Sequence, residues 1–555
     1  MQKLVYKYGI DYGTTNSSIA LSIYQDDEII TTLARLEDAQ PTDIMPSRVL
    51  VAANGQLYVG RNKMNVPVNE VQRILRAVKM DLEPHSEEDG DPTLFEAPTY
   101  KMGRKTILVA DVIAAVLKRM REQAEAQFKA LDVKVSGVVM GVPVNFGDAQ
   151  KKILMEALTK AGFYKTYEDA EEKTEFVSEP LAVAIEYGEK TISDKNVFVF
   201  DFGGGTLDFA VMNLKRNVGM NDHLHPHDVI CKDRATIGGE KLTKAFFINS
   251  FCSVRKYGVA GICKAFGLKE TLSAEQLWDK LQSGECGTNG WAFVEKVDNL
   301  KCTLSYKTAA DFNFLGEHGA MLPRMKFLRE DFEAAISTPI PGEEYSAFAL
   351  VKNAINDFIS SNNIDVASDI DVVLTAGGSS LIPCVQNFLY EIFPIPEQLH
   401  QDTGRIEKLT SIVRGLSIVG CRKIDILDDV VDCDFGFYDT KRKCFQPVIE
   451  RGTKIADTMF NRFTRQGKKI SIRMADQSAY TLAIDIIQRS KASGEYKLGT
   501  IEITNADPHT YDIFMTVSKG QGTLTVYLYD KDKKVWLDHD GKISETECKY
   551  ELKQK

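Results

Sequence analysis

Val199-Phe200-Asp201-Phe202-Gly203-Gly204-Gly205-Thr206-Leu207-Asp208 and Tyr8-Gly9-Ile10-Asp11-Tyr12-Gly13-Thr14-Thr15-Asn16-Ser17 decide how this chain is read. Each places an Asp-led, glycine-rich turn directly after an apolar run that reads as a buried strand. Each is followed by a second run with strand-like alternation, Ser18 to Leu21 and Leu207 to Val211. One strand–turn–strand unit therefore occurs twice in the 555 residues. Glycine and small hydroxyl residues let a backbone approach an anion and point N–H groups at it. Thr and Ser hydroxyls add donors, and an Asp at a strand end can hold a hydrated Mg2+. Neither copy has the Gly-Lys-Ser/Thr of a Walker A loop, and a strand rather than a helix follows each, which excludes a dinucleotide fingerprint. Taken singly, either turn also reads as an ordinary hairpin. The matched pair points to gripping the phosphates and metal of a nucleotide from two sides.

Composition narrows the class. A chain of this length should divide into several domains. Hydrophobic residues make up 44% and charged residues 26% of it, ordinary values for a globular protein. The net charge of −10 argues against sequence-independent nucleic-acid binding. No stretch approaches a membrane-spanning length, and the first strand starts close to Met1, so neither a membrane nor a signal peptide is expected. All ten cysteines lie at or beyond Cys231 without CxxC pairs, which suits free thiols in a reducing cytoplasm.

Outward from the two turns, residues 1 to about 190 alternate strands and helices. Val109, Val112, Ile113, Val116, Leu117 and Met120 fall at helical spacing and read as core. Val138 to Pro143 reads as a buried strand leaving its sheet, and a helix runs from Asp148 to near Gly162. A second α/β unit begins at Val197 and is interrupted after Gly238-Gly239 by a mostly helical insertion with a hairpin-like tail. It resumes at Asp371 to Gly378, a third strand ending in glycines. Five aspartates fall within Asp425 to Asp434, and helical periodicity stops there. Short alternating stretches follow (Ala479–Ile487, Thr500–Ile503, Tyr511–Val517, Gly522–Tyr529), the pattern of an antiparallel β domain. Cys548 to Lys555 reads as an edge strand and tail.

The two quoted turns resemble the phosphate signatures of the DnaK-type (seventy-kilodalton) heat-shock chaperone family. Val142-Pro143-Val144-Asn145-Phe146-Gly147-Asp148-Ala149-Gln150, Ser178-Glu179-Pro180-Leu181-Ala182-Val183-Ala184, Ile237-Gly238-Gly239-Glu240 and Leu374 to Pro383 resemble further segments of that family, in its order. The resemblance covers about the first 420 residues. It implies an α/β actin-like ATPase of two RNase H-like lobes around a cleft, spanning 1–424 with inserted subdomains at about 40–106 and 232–325. It implies a linker at 425–433 and an antiparallel β-sandwich at 434–555 that binds extended peptide.

Site roles follow from the same resemblance. ATP or ADP with Mg2+ are the implied cofactors, with K+ as a further ion. Asp11 and Asp201 would orient Mg2+ through its waters, with Asp208 in support. Gly13, Thr14, Thr15, Asn16, Gly203, Gly204, Gly205 and Thr206 would surround phosphate oxygens, with Gly238 and Gly239 beside them. Glu179 would help place the attacking water, and Lys79 would reach the γ-phosphate, where charge spreads over three equatorial oxygens. Gly377, Gly378 and Ser379 would form one wall for adenosine; Asp298, Lys301 and Ser305 would form the other. Without the resemblance, Lys79 near Arg73 and Arg76 reads as a solvated helix face. Glu179 before Pro180 reads equally as a helix start.

Four departures from the family stand out. Leu381 occupies the place of the arginine beside adenine, which weakens stacking over the base. The linker, normally leucines and valines, reads Asp425-Ile426-Leu427-Asp428-Asp429-Val430-Val431-Asp432, and its charge opposes close docking. Glu175 stands where members that use J-domain partners carry a basic residue, so an acidic J-domain motif would be repelled and a divergent partner or none is expected. No long helix follows the β stretches, so the family's helical lid is expected to be absent. Tyr480 falls in the peptide pocket, where it either narrows the pocket or is an ordinary strand tyrosine.

The leading expectation is a cytoplasmic chaperone ATPase that couples ATP–Mg2+ binding and slow hydrolysis to holding unfolded or extended peptide, served by an exchange factor. The alternative is a nucleotide-gated scaffold for one dedicated partner, with incidental hydrolysis.

Overall fold

Strand β1 (Val5–Tyr12) folds back antiparallel on β2 (Asn16–Gln25), which pairs antiparallel with β3 (Glu28–Leu33). On its other side β1 runs parallel to β4 (Lys134–Val142), and β4 parallel to β5 (Thr174–Ser178). The second sheet repeats this wiring. Strand β6 (Lys195–Phe202) is antiparallel to β7 (Leu207–Arg216), β7 is antiparallel to β8 (Leu224–Ala235), and β6 runs parallel to β9 (Val372–Ala376). In both sheets the Asp-bearing strand lies between its hairpin partner and a parallel neighbour. Tyr8 to Tyr12 and Val197 to Phe202 are buried in unbroken runs, as strands covered on both faces require.

This computed structural model describes residues 5–26, 28–38, 42–60, 71–82, 95–102, 105–191, 193–216, 224–283, 286–316, 319–395, 398, 405–421, 430–431, 433–439, 443–460, 465–473, 481–490, 494–504, 506–518, 523–537, 543–544 and 552. Among them no helix is long and apolar enough to cross a membrane.

Helices α1 (Val109–Phe128) and α2 (Asp148–Lys160) cover the first sheet, and the stripe from Val109 to Met120 is buried in its core. Helix α2 stops where Gly162 turns left-handed at φ 83°, a conformation glycine adopts without Cβ strain. Helix α3 (Glu179–Gly188) opens with Pro180 in its first turn. After β8, helix α4 (Gly239–Phe246) begins a mostly helical insertion that includes α5 (Gly287–Tyr306) and the antiparallel pair Ala309–Leu315 and Met321–Leu328. Strand β8 pairs with β7 through Ala235 before this insertion begins.

Helix α6 (Arg405–Cys421) lies against α3 and β1, and a shared core of Leu181, Ile185, Val199, Leu374 and Leu416 joins the two sheets there. Glycines make this seam close. A Cβ on Gly415 would sit 1.8 Å from the Ala182 carbonyl oxygen, and one on Gly9 would sit 2.3 Å from the Ser417 nitrogen. The two Asp-led turns are thereby fixed face to face.

Beyond α6 the described residues are mainly β, with one short helix at Ile455–Thr458. Strands β10 (Asp434–Asp439), β11 (Cys444–Ile449), β12 (Lys468–Arg473), β13 (Thr481–Ser490), β14 (Gly494–Thr504), β15 (Thr510–Val517), β16 (Leu524–Asp530), β17 (Val535–Leu537) and β18 (Ile543–Ser544) form two antiparallel sheets. Their orders are β11-β10-β13-β14 and β12-β15-β16-β17-β18. Phe435, Ile486, Ile501, Ile513, Met515 and Leu528 from both sheets meet in one core. Tyr480 lies outside the described residues, as does Cys548–Lys555 except Leu552.

The linker corrects the expectation that its charge keeps it from docking. Val430 bridges to Lys454 and is buried in the core between the first two sheets, while Val431 is buried in the β core. Its neighbours from Asp425 to Asp429, and Asp432, lie outside the described residues. Burial of the two valines favours docking despite the acidic residues beside them in the sequence. Further contacts tie the β segment to the rest. The Asp148 N–H donates to Gln488 Oε1 at 3.2 Å, Tyr496 donates to Gln150 Oε1 at 3.2 Å, and the Leu524 N–H donates to Asp148 Oδ1 at 3.2 Å. Arg451 pairs with Asp233 at 3.0 Å and Lys454 with Asp228 at 3.2 Å. The Phe95 N–H donates to the Lys497 carbonyl at 3.3 Å, and the rings of Phe95 and Tyr496 lie 5.7 Å apart.

Candidate functional site

The two turns close by the same bond. The Gly13 N–H donates to the Asn16 carbonyl at 3.1 Å, and the Gly203 N–H donates to the Thr206 carbonyl at 3.0 Å. Each Asp sits just before its turn, with Asp11 opposite Ser18 and Asp201 opposite Asp208. The tips meet across the cleft: a Cβ on Gly204 would lie 2.0 Å from Thr15 Oγ1, and one on Gly205 would lie 2.7 Å from Thr14 Oγ1. A side chain at either glycine would have to displace Thr15, or Thr14 and Met80, so glycine lets the tips come this close. The second turn is braced from behind. The Gly239 and Glu240 N–H groups donate to the Gly203 and Gly204 carbonyls at 3.0 and 2.9 Å, and Ser379 Oγ donates to Gly203 at 2.8 Å. Gly377, at φ 76°, lets the end of β9 pass the Phe202 carbonyl, which a Cβ would approach to 2.4 Å.

Between the turns lie four buried carboxylates, Asp11, Glu179, Asp201 and Asp208, and the buried ammonium of Lys79. Lys79 Nζ donates to Glu179 Oε1 at 2.5 Å. Burial and then the Glu179 charge raise the Asp11 carboxyl to about 7, against the pull of Lys79. Burial likewise lifts Asp208 to about 7, with Arg234 opposing and Glu179 adding. Asp201 is pushed well above the usual carboxylate range by burial and then by Glu179, Asp208 and Asp11. Asp208 Oδ1 accepts from the Val144 N–H at 2.8 Å, while its buried Oδ2 meets no close hydrogen-bond partner among the described residues. Four acids around one lysine leave a deficit of positive charge, and dehydrated carboxylates with open lone pairs are the donor set of a hard divalent cation. The residues fit a hydrated Mg2+ beside Asp11 and Asp201.

A cavity of about 260 Å3 continues from the turns between the Gly378–Ile382 segment and α5. Asp298, Lys301 and Ser305 face it from α5. Lys301 Nζ bonds the Gly239 carbonyl at 2.9 Å, Thr243 Oγ1 at 2.8 Å and Asp298 at 2.7 Å. Burial alone would raise the Asp298 carboxyl, but the Lys301 and Arg76 charges outweigh it and hold it below its ordinary value. A larger cavity of about 450 Å3 adjoins the first, sharing Thr15, Asn16, Asp298 and Cys302, and is further lined by Thr14, Arg48, Arg76, Glu240 and Glu295. Two ion pairs span it, Arg48 with Glu295 and Arg76 with Glu240, the latter at 3.3 Å. Each joins the first insertion to the second.

The residues that the sequence assigned to phosphate, metal and adenosine lie around this one cleft. Sequence reading missed the spanning pairs and Thr243, whose partners are over 50 positions away in the chain. It also passed over Cys302 and Tyr306, although both share the α5 face of Asp298 and Ser305 at helical spacing. The solvated-face alternative for Lys79 does not hold, since that side chain is only 5% exposed. Glu175 is ion-paired with Lys7 at 2.7 Å at the edge of the first sheet.

Residues 7–220 match the family model described as Hsp70 protein. The match takes in both turns, Lys79, Glu179 and Asp208; it stops short of α4, α5 and the Gly377–Ser379 segment.

Proposed function

From the premise that the chain is an Hsp70-type protein, a family of actin-like ATPases and chaperones, we propose that it binds ATP with Mg2+ in the cleft between its two sheets. It hydrolyses the nucleotide slowly and couples nucleotide state to the holding of extended peptide by the β segment. The observation that carries this reading is the pair of facing turns with four buried carboxylates and one lysine between them. Thr14, Thr15, Gly203, Gly204, Gly205 and Thr206 supply donors for phosphate oxygens. Asp11 and Asp201 hold the waters of Mg2+, which supplies charge neutralisation of the phosphates when bound. Lys79 leaves Glu179 to meet the γ-phosphate, and Glu179 is then free to accept a proton from the attacking water. Asp298 and Lys301 face the ribose, and the β9 end with Gly377, Gly378 and Ser379 backs the nucleoside.

Coupling to the β segment has a physical route. Asp208 holds the Val144 N–H, the next residue Asn145 accepts a contact from Cys433 in the linker at 3.7 Å, and Asp148 holds Gln488 and Leu524. The test is single-turnover ATP hydrolysis with and without a panel of unfolded peptides. Peptide stimulation that vanishes in Lys79→Ala is the expected result; absence of nucleotide binding sinks the proposal.

A second reading, a nucleotide-gated scaffold for one dedicated partner, is favoured by one observation. Phe95, from the first insertion, caps strand β14 and packs on Tyr496, so the β segment is held by more than its linker. Robust ATP binding without any peptide response selects it.

A further inference from the structure

We propose that Met80 is a positioning residue for hydrolysis: its thioether spaces the second turn from the segment that carries Lys79, and so sets where the lysine meets the γ-phosphate. The inference rests on reading the cleft as an ATP site. Met80 directly follows Lys79, yet the two side chains serve opposite sides of the cleft. Lys79 Nζ reaches Glu179 at the start of α3, beside the first sheet. Met80 reaches the turn of the second sheet, where a Cβ on Gly205 would lie 2.2 Å from its Sδ and 3.0 Å from its Cγ. The sulfur therefore packs where a side chain of Gly205 would stand, next to Thr14 Oγ1 from the first turn.

The segment around the two residues is fixed from several sides. Ala77 takes a left-handed φ of 51° and leads into one turn of 3-10 helix, Met80–Leu82. The Met80 N–H donates to the Ala77 carbonyl at 2.8 Å, and the Leu82 N–H donates to the Lys79 carbonyl at 3.3 Å. Val78 and Leu82 are buried in the core of the first sheet, and Tyr100 donates to Asp81. A left-handed residue with a Cβ persists only where its surroundings over-determine it, and such strain gathers at working sites. With the backbone held, the adjustable part of the contact is the Met80 side chain. Methionine is unbranched, with three rotatable bonds, so it can follow the turn as the two sides of the cleft shift.

Binding and hydrolysis draw on different parts of this arrangement. The turns grip the inner phosphates with their own N–H and hydroxyl groups. The γ-phosphate depends on Lys79, and a displacement of about 1 Å in such a group costs on the order of a hundredfold in rate. Cutting Met80 back to its Cβ leaves a gap between Gly205 and the lysine-bearing segment, so the loss falls on the chemical step.

The test uses the full chain with Mg2+ and follows single-turnover ATP hydrolysis, equilibrium binding of ADP, and binding of ADP with aluminium fluoride, which stands in for the transferring phosphoryl group. Met80→Ala should slow hydrolysis by about tenfold or more and weaken the aluminium fluoride complex in step, while ADP alone binds within about threefold of the parent. Met80→Leu, which refills the space, should return the rate to within about threefold of the parent. Met80→Val carries the same comparison if Met80→Ala does not fold. An unchanged rate, an equal loss of rate and ADP affinity, or no recovery in Met80→Leu overturns the proposal and leaves the nucleotide site standing. A parent that binds Mg–ADP without hydrolysing ATP also overturns it and leaves binding intact. A parent that binds neither nucleotide overturns the site reading and this inference together.

Discussion

Lys79 and Glu179 are 100 positions apart in the chain and meet as a buried ion pair, Nζ to Oε1, at 2.5 Å. One comes from within the first insertion and the other opens α3. Each desolvated charge depends on the other until a polyphosphate enters. Removing one partner strands the other: Lys79→Met should destabilise the nucleotide-free protein by about 3 kcal/mol, while Lys79→Met with Glu179→Gln should recover most of that. Both variants should lose hydrolysis. Denaturant unfolding of the set measures the stability effect, and equal stability of the single and double variants would show that the pair does not matter to the apo fold.

The raised carboxyls make the empty site sensitive to pH, and the sign is definite. Asp11 and Asp208 have folded values near 7, above their ordinary value near 4. Their favourable contribution is therefore full below that ordinary value and is lost as pH rises through about 7. The nucleotide-free protein should be more stable at pH 6 than at pH 8. Mg2+ favours the ionised carboxylates, so Mg–ADP should bind more tightly at pH 8 and release protons at pH 6. Calorimetry in buffers of different ionisation enthalpy counts those protons, and a count of zero at pH 6 contradicts the account.

Gly238 packs where a Cβ would lie 2.3 Å from the Gly204 carbonyl oxygen, a backbone atom that cannot rotate away. Gly238→Ala should push the second turn out of place. Nucleotide affinity should fall by about tenfold or more, equal to at least 1.4 kcal/mol, with the far-ultraviolet dichroism unchanged. Unaltered affinity would mean that the turn is looser than its packing implies.

The pairs Arg48–Glu295 and Arg76–Glu240 close the mouth between the two insertions. Partly exposed pairs contribute roughly 0–1 kcal/mol each to stability. Arg48→Ala with Arg76→Ala should thus leave the melting temperature within a few degrees while nucleotide release speeds several-fold. Stopped-flow displacement of a fluorescent ADP gives the rate.

Arg451 and Lys454 on the β segment face Asp233 and Asp228 on β8. Arg451→Glu should loosen the docked arrangement and expose the linker to protease. Combining it with Asp233→Arg should restore protection. Equal cleavage of the single variant and the parent would show that this pair does not hold the segment.

Much of the cleft was readable because its chemistry is local. A strand, an Asp, glycines and a hydroxyl residue sit within ten positions at both turns, so their spacing alone reveals the hairpins. The alternations of β13, β15 and β16 were legible for the same reason. What escaped was non-local. Lys79 could be separated from a solvated face only by Glu179 closing over it. Arg48 has no sequence signal that names Glu295. The linker misled because its four aspartates are conspicuous, whereas docking is decided by what Val430 and Val431 bury against.

Those two valines are consecutive, yet each is sealed in a different core. Neighbouring Cα atoms are about 3.8 Å apart, so no slack separates the two seats. The chain there behaves as a rivet through two plates: neither half can back away by a few ångströms without drawing a valine into water. Separation of the β segment therefore has to draw one of the two valines out of its core, and whatever triggers it must offset that exposure.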